Sequence, residues 1–285
     1  MGIIDKAARA LGLALLAALA AATPAMAQGE PYRFSPVNQW DINKTASYWN
    51  PIIQYVAEKS GVPMQLKIGR TSADTTAYVL AQEVEFVFSN HLFSPQRMAL
   101  GWTVFGRRNG PTLRAQIAVP ADSPITTLEE LRDQEVAFAG NEAFVGYKLP
   151  MAHLLSRSIQ VKPMFSGNQN AAFAQLFAGR ARAVGSNSML VDGYAERERK
   201  GFRVLWSSEG YHDLALMAAA KVPKAHVDAI AAAFFGMHAD ARGRKVLEAA
   251  SAVVSLTVAD HFVPASMADY ANYVTFFENA PAFLR

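Results

Sequence analysis

Residues 135–156 read EVAFAGNEAFVGYKLPMAHLLS. Glu135 to Ala139 is short, mostly apolar and reads as a strand; Gly140-Asn141-Glu142 is a polar turn; Tyr147 to Ser156 carries helical spacing. The same strand, turn and helix succession recurs along the chain. Strands are predicted at Tyr32–Val37, Met64–Ile68, Val84–Phe88, Ala115–Val119, Val161–Phe165 and Ala181–Gly185. Helices are predicted at Ser47–Lys59, with Pro51 in or near its first turn and Gly61 as its stop, and at Ala171–Ala178 and Met189–Lys200. Thr127 and Glu130 have capping-box spacing. Such alternation argues an α/β architecture with mostly parallel sheets covered on both faces.

The C-terminal part differs. After Trp206 the sequence offers one apolar run, Leu214–Ala220, and then helices over Lys224–Ala239, Gly243–Ala250 and Ser266–Glu278, with no further strand of comparable quality. That asymmetry suits a chain that leaves one lobe, builds a second and returns to finish the first. The expected organisation is 28–112 as the first part of lobe 1, 113–206 as lobe 2 and 207–285 as the return to lobe 1. Candidate crossings are Asn109-Gly110-Pro111 and Trp206–Tyr211.

Composition narrows the function classes. The 285 residues are 51% hydrophobic and include no cysteine, which excludes a disulfide scaffold, a thiolate metal site and a cysteine nucleophile. A net charge of only +3, with no long basic run and with Glu196 and Glu198 in the cluster around Arg197–Lys200, argues against a nucleic-acid partner. Lys6 and Arg9, the apolar stretch Ala10–Ala22, the Thr23-Pro24 break and Ala25-Met26-Ala27 form a secretory signal pattern. Its apolar run is shorter than the roughly 20 residues a spanning helix needs. Residues 1–27 are therefore expected to be a signal peptide cleaved after Ala27, leaving a periplasmic, monomeric protein.

No nucleophile elbow, zinc-protease helix, P-loop or dinucleotide fingerprint is present. The six histidines are scattered, and His91, Asp74 and Glu142 lack a diagnostic metal spacing. Tyr211-His212-Asp213 reads as a charged turn. No enzyme activity, cofactor or metal is expected. Polar residues gather instead where strands end: Ser89-Asn90-His91, Gly140-Asn141-Glu142, Ser166 to Asn170, and Gly185 to Ser188. In open α/β sheets that is where small ligands bind.

Ordered motifs then point to a family. Tyr48-Trp49-Asn50-Pro51-Ile52-Ile53-Gln54-Tyr55 with Glu58-Lys59-Ser60-Gly61-Val62 resembles the W-x-P-L-x-x-Y-L…E-K-x-G-V stretch of exported phosphate-, phosphite- and phosphonate-binding proteins. Val84–Phe88, Val119–Leu131, Phe138 with Gly146–Pro150, Ala171–Ala183 and Val204–Ser208 are similar to successive family motifs. The resemblance covers nearly the whole exported chain. It implies a type II periplasmic binding protein fold, two α/β lobes joined by a hinge that close on a ligand. It further implies a solute-binding component of an ABC uptake system, with an inner-membrane permease as partner; a membrane sensor kinase is the alternative partner.

Carried over position by position, the resemblance places the ligand at Ser72, Ser89, Ala143, Phe144, Val145, Gln169, Asn170 and Ser186 or Asn187, with Glu142 beside them, and the polar turns after the strands add Asn90, His91 and Asn141. The family's Ser-Thr-Ser anion run is replaced by Ala143-Phe144-Val145 beside a carboxylate, and its ionisable pair by Gln169-Asn170. Those replacements argue against phosphonate specificity and leave room for a neutral or cationic ligand held by amides and by aromatics such as Trp40, Phe88, Phe93, Phe144 and Tyr147. Arg70, beside Ser72, is a candidate to restore an oxyanion contact.

Overall fold

A computed structural model describes residues 30–256 and 261–285. The signal-peptide reading therefore lies outside the described residues. The strands are β1 Tyr32–Pro36, β2 Met64–Leu66, β3 Phe86–Ser89, β4 Thr103–Arg108, β5 Leu113–Pro120, β6 Glu135–Phe138, β7 Lys162–Phe165, β8 Ala183–Asn187, β9 Phe202–Tyr211, β10 Ala215–Ala218 and β11 Phe262–Pro264. They form a six-stranded sheet ordered β11-β4-β10-β3-β1-β2 and a five-stranded sheet ordered β7-β6-β8-β5-β9. The chain passes from the first sheet to the second over 109–112 and returns over 212–214.

Both sheets are mixed, which corrects the expectation of mostly parallel sheets. β1 pairs in parallel with β2 and β3, and β6 with β7 and β8, as β-α-β connections require. By contrast β10 is antiparallel to β3 and β4, β11 to β4, and β5 to β8 and β9. β4, β9 and β11 went unpredicted, and each has a reason. β4 carries Gly106, Arg107 and Arg108; β9 interleaves Ser207, Ser208, Glu209 and Gly210; β11 is three residues long and ends in a proline. A helix-rich reading of the C-terminal part thus missed two strands that complete the sheets.

Burial follows the period of each strand. In β6, Val136 and Phe138 face Tyr147, Met151 and Leu154, whereas Ala137 faces Ala172, Phe173 and Val191. The second sheet is accordingly covered on one face by the helical run 144–156 and on the other by α5 Gln169–Phe177 and α6 Ser188–Glu198. Four further helices, α1 Ile42–Ser60, α2 Ser72–Leu80, α3 Pro95–Met98 and α4 Leu149–Ser156, precede them in sequence. α1 starts earlier than predicted because Asp41 caps it, accepting hydrogen bonds from the Asn43 and Lys44 amides. Pro51 therefore lies inside the helix rather than in its first turn. The helix continues past it because Trp49, Ile52, Ile53 and Val56 are buried against the first sheet, each contributing about 1.5–3 kcal/mol.

The C-terminal helices are α7 Lys224–Gly236, α8 Ala241–Val253 and α9 Ala271–Asn279. Tyr273 and Phe277 of α9 join the first core, while Ala280 and Leu284 just beyond it join the core of the second sheet. At the crossings, Arg108 at the end of β4 lies 3.4 Å from Asp213, and both side chains are almost fully buried. Asp213 of the charged turn thus stands at the crossing, buried against Arg108.

Removing one member of a buried ion pair leaves the other without compensation. Asp213→Ala is expected to lower stability by about 3–5 kcal/mol, read from urea denaturation. Replacing Arg108 and Asp213 together by apolar residues of similar volume should recover much of that loss.

Candidate functional site

The carboxyl ends of β1, β3, β6 and β8 meet the N-termini of α2, α5, α6 and the helical run 144–156 around a cavity of about 50 Å³. Its polar lining consists of Asn38, Gln39, Ser72, Asn90, His91, Gln169 and Asn187; Ala143, Phe144, Val145, Gly146, Leu190 and Leu214 supply most of the rest. None of these side chains is a permanent ion. A larger cavity of about 140 Å³ lies at the crossings, lined by Arg108, Thr112, Asp192 and Asp213 among others, and contains none of the residues expected to bind ligand.

The run 144–156 opens with a π turn, Phe144–Lys148, before becoming the regular helix α4. The amides of Phe144, Val145 and Gly146 find no acceptor among the described residues, as befits a helix start. Close packing holds this turn in place. A Cβ on Gly185 would lie 2.3 Å from Phe138 and 2.7 Å from the Gly146 carbonyl oxygen, so only glycine lets β8 approach the turn. Phe144 anchors the other side: its ring lies 4.2 Å from Tyr273, 4.9 Å from Phe276 and 5.3 Å from Phe277.

His91 is buried. Its Nδ1 lies 2.7 Å from the Thr76 hydroxyl, and burial pushes its pKa down to about 3, with the Glu142 charge opposing and Arg97 and Lys148 assisting. Gln39 Oε1 accepts a hydrogen bond from Arg108, and Gln39 Nε2 is buried without a partner. Asn38 is fully engaged with Gly69 and Thr75.

The two sheets touch across the cavity rim. Arg97, from α3 beside the first sheet, meets Glu142, from the turn after β6, through two hydrogen bonds of 2.5 and 3.0 Å. Burial alone would raise the Glu142 pKa, but the Arg97 contact outweighs it and holds the carboxyl below its usual range. Ser72 also donates its amide to Gly167 across the same gap, at 3.5 Å. This is a closed arrangement.

Of the residues expected at the site, the cavity brings together Ser72, Asn90, His91, Ala143, Phe144, Val145, Gln169 and Asn187. Ser89 lies beneath it, accepting from the His91 amide; Asn141 is exposed; Asn170 accepts from Arg197 on the side of a separate small pocket. Glu142 sits at the rim, and its charge is paired rather than set against a ligand. Arg70 is exposed and does not line the cavity. Of the candidate aromatics, Trp40, Phe88, Phe93 and Tyr147 are core residues, and Phe144 alone of the five reaches the cavity wall. Asp74 caps α2, and no cluster of three or more metal-ligating side chains occurs among the described residues.

Asn38 and Gln39 were missed, although they follow β1 as the other polar turns follow their strands. Arg97 gave no sequence signal, because its partner is distant in sequence and lies beside the other sheet.

With this geometry in place, the class of protein is defined: two mixed α/β units with a ligand-sized cavity between them, the architecture of type II periplasmic binding proteins. Residues 35–270 match the family model described as the phosphonate ABC transporter periplasmic substrate-binding protein, and the chain belongs to that family. Among solved structures it is similar to a binding protein component of an ABC phosphonate transporter from Pseudomonas aeruginosa, with 13% identity, 88% of this chain and 86% of that chain covered, and a TM-score of 0.73. It is also similar to PhnD1 from Prochlorococcus marinus in complex with methylphosphonate (12% identity, 87% and 97% covered, TM-score 0.72). A Xanthomonas citri protein bound to ATP is similar too (15% identity, 90% and 97% covered, TM-score 0.67). No curated protein matches the sequence. Membership makes the chain a transport binding protein of the periplasm that carries a small ligand to a membrane permease.

Two outcomes follow from the site geometry. Phe144→Ala should cost about 3–5 kcal/mol in urea denaturation, because the ring is core packing for α9. His91 has a depressed pKa in the folded state, so as pH falls below 6.5 the unfolded chain takes up the proton first. Its contribution is complete above that pH and is lost on the way down to about 3. His91→Asn should therefore flatten the acid limb of a stability–pH curve by roughly 1 kcal/mol per pH unit over that window.

Proposed function

We propose that the chain captures a small oxyanion of the phosphonate, phosphite or phosphate class in the 50 Å³ cavity, by closure of the two sheet units about the crossings at 109–112 and 212–214. The observation that carries this reading is the set of unpartnered Phe144, Val145 and Gly146 amides at the head of a helical run that faces the cavity. Backbone N–H groups there take over from the hydroxyls that the family pattern would place at the same turn.

Charge supports the reading. With Arg97 and Glu142 neutralising each other and His91 uncharged, buried Lys148 leaves the neighbourhood net positive, and the helix N-termini add partial positive charge. Size supports it as well. A site of about 50 Å³ accommodates roughly four water-sized groups, the bulk of a tetrahedral oxyanion rather than a nucleotide.

We further infer that residues 1–27 are a leader removed after Ala27 and that the exported chain acts as a monomer, readings that rest on the sequence.

Thermal-shift measurements on refolded protein test the ligand class. Phosphite, phosphate or methylphosphonate at a hundredfold excess over its dissociation constant should add about 2.7 kcal/mol, whereas ATP, betaine and amino acids should add nothing. A shift with a neutral or cationic compound alone would overturn the reading. Arg97→Ala removes the ion pair across the rim and leaves the Glu142 carboxylate uncompensated near the cavity, so it should weaken oxyanion binding about tenfold, about 1.4 kcal/mol, in calorimetry.

A further inference from the structure

His91 can show the cavity either a hydrogen-bond donor or an acceptor, and its neighbours decide which. Its Nδ1 lies 2.7 Å from Thr76 Oγ1, and that hydroxyl lies 3.0 Å from the Ser72 carbonyl oxygen. A threonine hydroxyl carries a single proton. The carbonyl can only accept, so the hydroxyl donates there and turns a lone pair toward His91, and Nδ1 must then supply the proton of the second bond. Turned toward Nδ1 instead, the hydroxyl would lose its contact with the carbonyl. Both short contacts are satisfied together only with the proton on Nδ1, which leaves the Nε2 lone pair free.

No described residue donates to Nε2, although His91 is 98% buried and lines the cavity. The charged groups that act on the ring are Glu142, Arg97 and Lys148. Glu142 is held by Arg97, and Lys148 donates to the Arg285 carbonyl at 3.3 Å, so neither is placed to protonate the imidazole. Donors are abundant elsewhere on the wall: Gln39 Nε2 and the three amides at the π turn. The cavity thus asks for a ligand with acceptors on most of its surface and one hydrogen to give.

Building on the oxyanion reading above, we propose that His91 is a specificity-determining residue that reads a proton on the ligand. The site takes a small oxyanion as its hydrogen-bearing monoanion and rejects the form with no hydrogen to donate. A fully ionised oxygen at Nε2 would set two acceptors face to face in a buried site, with neither satisfied. The hydrogen bond is made by the ligand O–H donating to Nε2, and no bond to hydrogen is broken in binding.

Calorimetry on the intact exported protein, from about pH 5.5 to about 8.5, separates the cases with methylphosphonate and methanesulfonate as probes. The two are close in shape, but methanesulfonate is a monoanion without a proton throughout that range. Methylphosphonate binding should weaken by about tenfold per pH unit once the pH passes its second ionisation. Methanesulfonate should bind about 10- to 100-fold more weakly than the methylphosphonate monoanion at the acid end, with little pH dependence. His91→Gln can turn its NH₂ group into the cavity, so it should reduce the methylphosphonate slope and bring the two probes together. Thr76→Val, which removes the hydroxyl that fixes the tautomer, should narrow the same gap.

Methylphosphonate binding that holds steady or tightens with rising pH, or methanesulfonate binding as tight as methylphosphonate, would overturn the role of His91 and leave the oxyanion reading intact. Failure of methylphosphonate, phosphite and phosphate to bind at every pH would overturn the ligand class, and this inference with it.

Discussion

A single buried guanidinium ties together the parts of this molecule that must cooperate. Arg108 stands where the chain leaves the first sheet, meets Asp213 where the chain comes back, and donates to Gln39 in the cavity wall. Burying such a charge is unfavourable unless its partners are well placed, so the position of each crossing is constrained by the other and by the ligand site. The side chain also lies 5.0 Å from the Phe88 ring and 5.4 Å from the Tyr48 ring, which fixes it against the first core. The crossings are thereby defined chemically as well as topologically.

The cavity sets the family architecture around a turn whose side chains depart from the family pattern. Phe144 stands where the family pattern implies a hydroxyl, yet its ring turns into a cluster with Tyr211, Tyr273, Phe276 and Phe277. The backbone of the same residue remains at the cavity. A side-chain hydroxyl of the family pattern is replaced here by packing, and that packing holds in place the backbone amides of the proposed oxyanion site. Gly185 matters for the same reason, since it allows the strand beneath to approach the π turn closely.

Much of the fold was legible because burial imposes a period on the sequence. β6, with Val136 and Phe138 on one face and Ala137 on the other, and α1, with its buried Trp49-Ile52-Ile53-Val56 face, carry that period plainly. β9 does not: Ser207, Ser208 and Gly210 interrupt it, and its place in the sheet comes from pairing with β5 through a shifted register. Polar turns after strands identified Asn90, His91, Gln169 and Asn187 in the cavity, because strand ends and helix starts are where unpaired backbone groups gather, and the family resemblance added Ser72, Ala143, Phe144 and Val145. Long-range pairing remained hidden. The Arg97–Glu142 contact joins two elements that no local spacing links, and reading Glu142 as an unpaired charge near the ligand followed from that blind spot.

The interior position of β10 bears on how the chain acquires its structure. Val87 of β3 pairs with Met217, and β4 lies on the far side of the same strand, so the first sheet has a gap at its centre until residues far along the chain arrive. α9 then packs into the first core, while Ala280 and Leu284 just beyond it complete the second. Neither core is finished without the C-terminal residues, and such distant pairings form slowly because long loops must close first. A nascent chain of this design lacks a complete lobe until α9 and the residues just beyond it have emerged. For a protein whose family works in the periplasm, delayed completion is an asset, since an extended chain can still be threaded across the inner membrane before it locks.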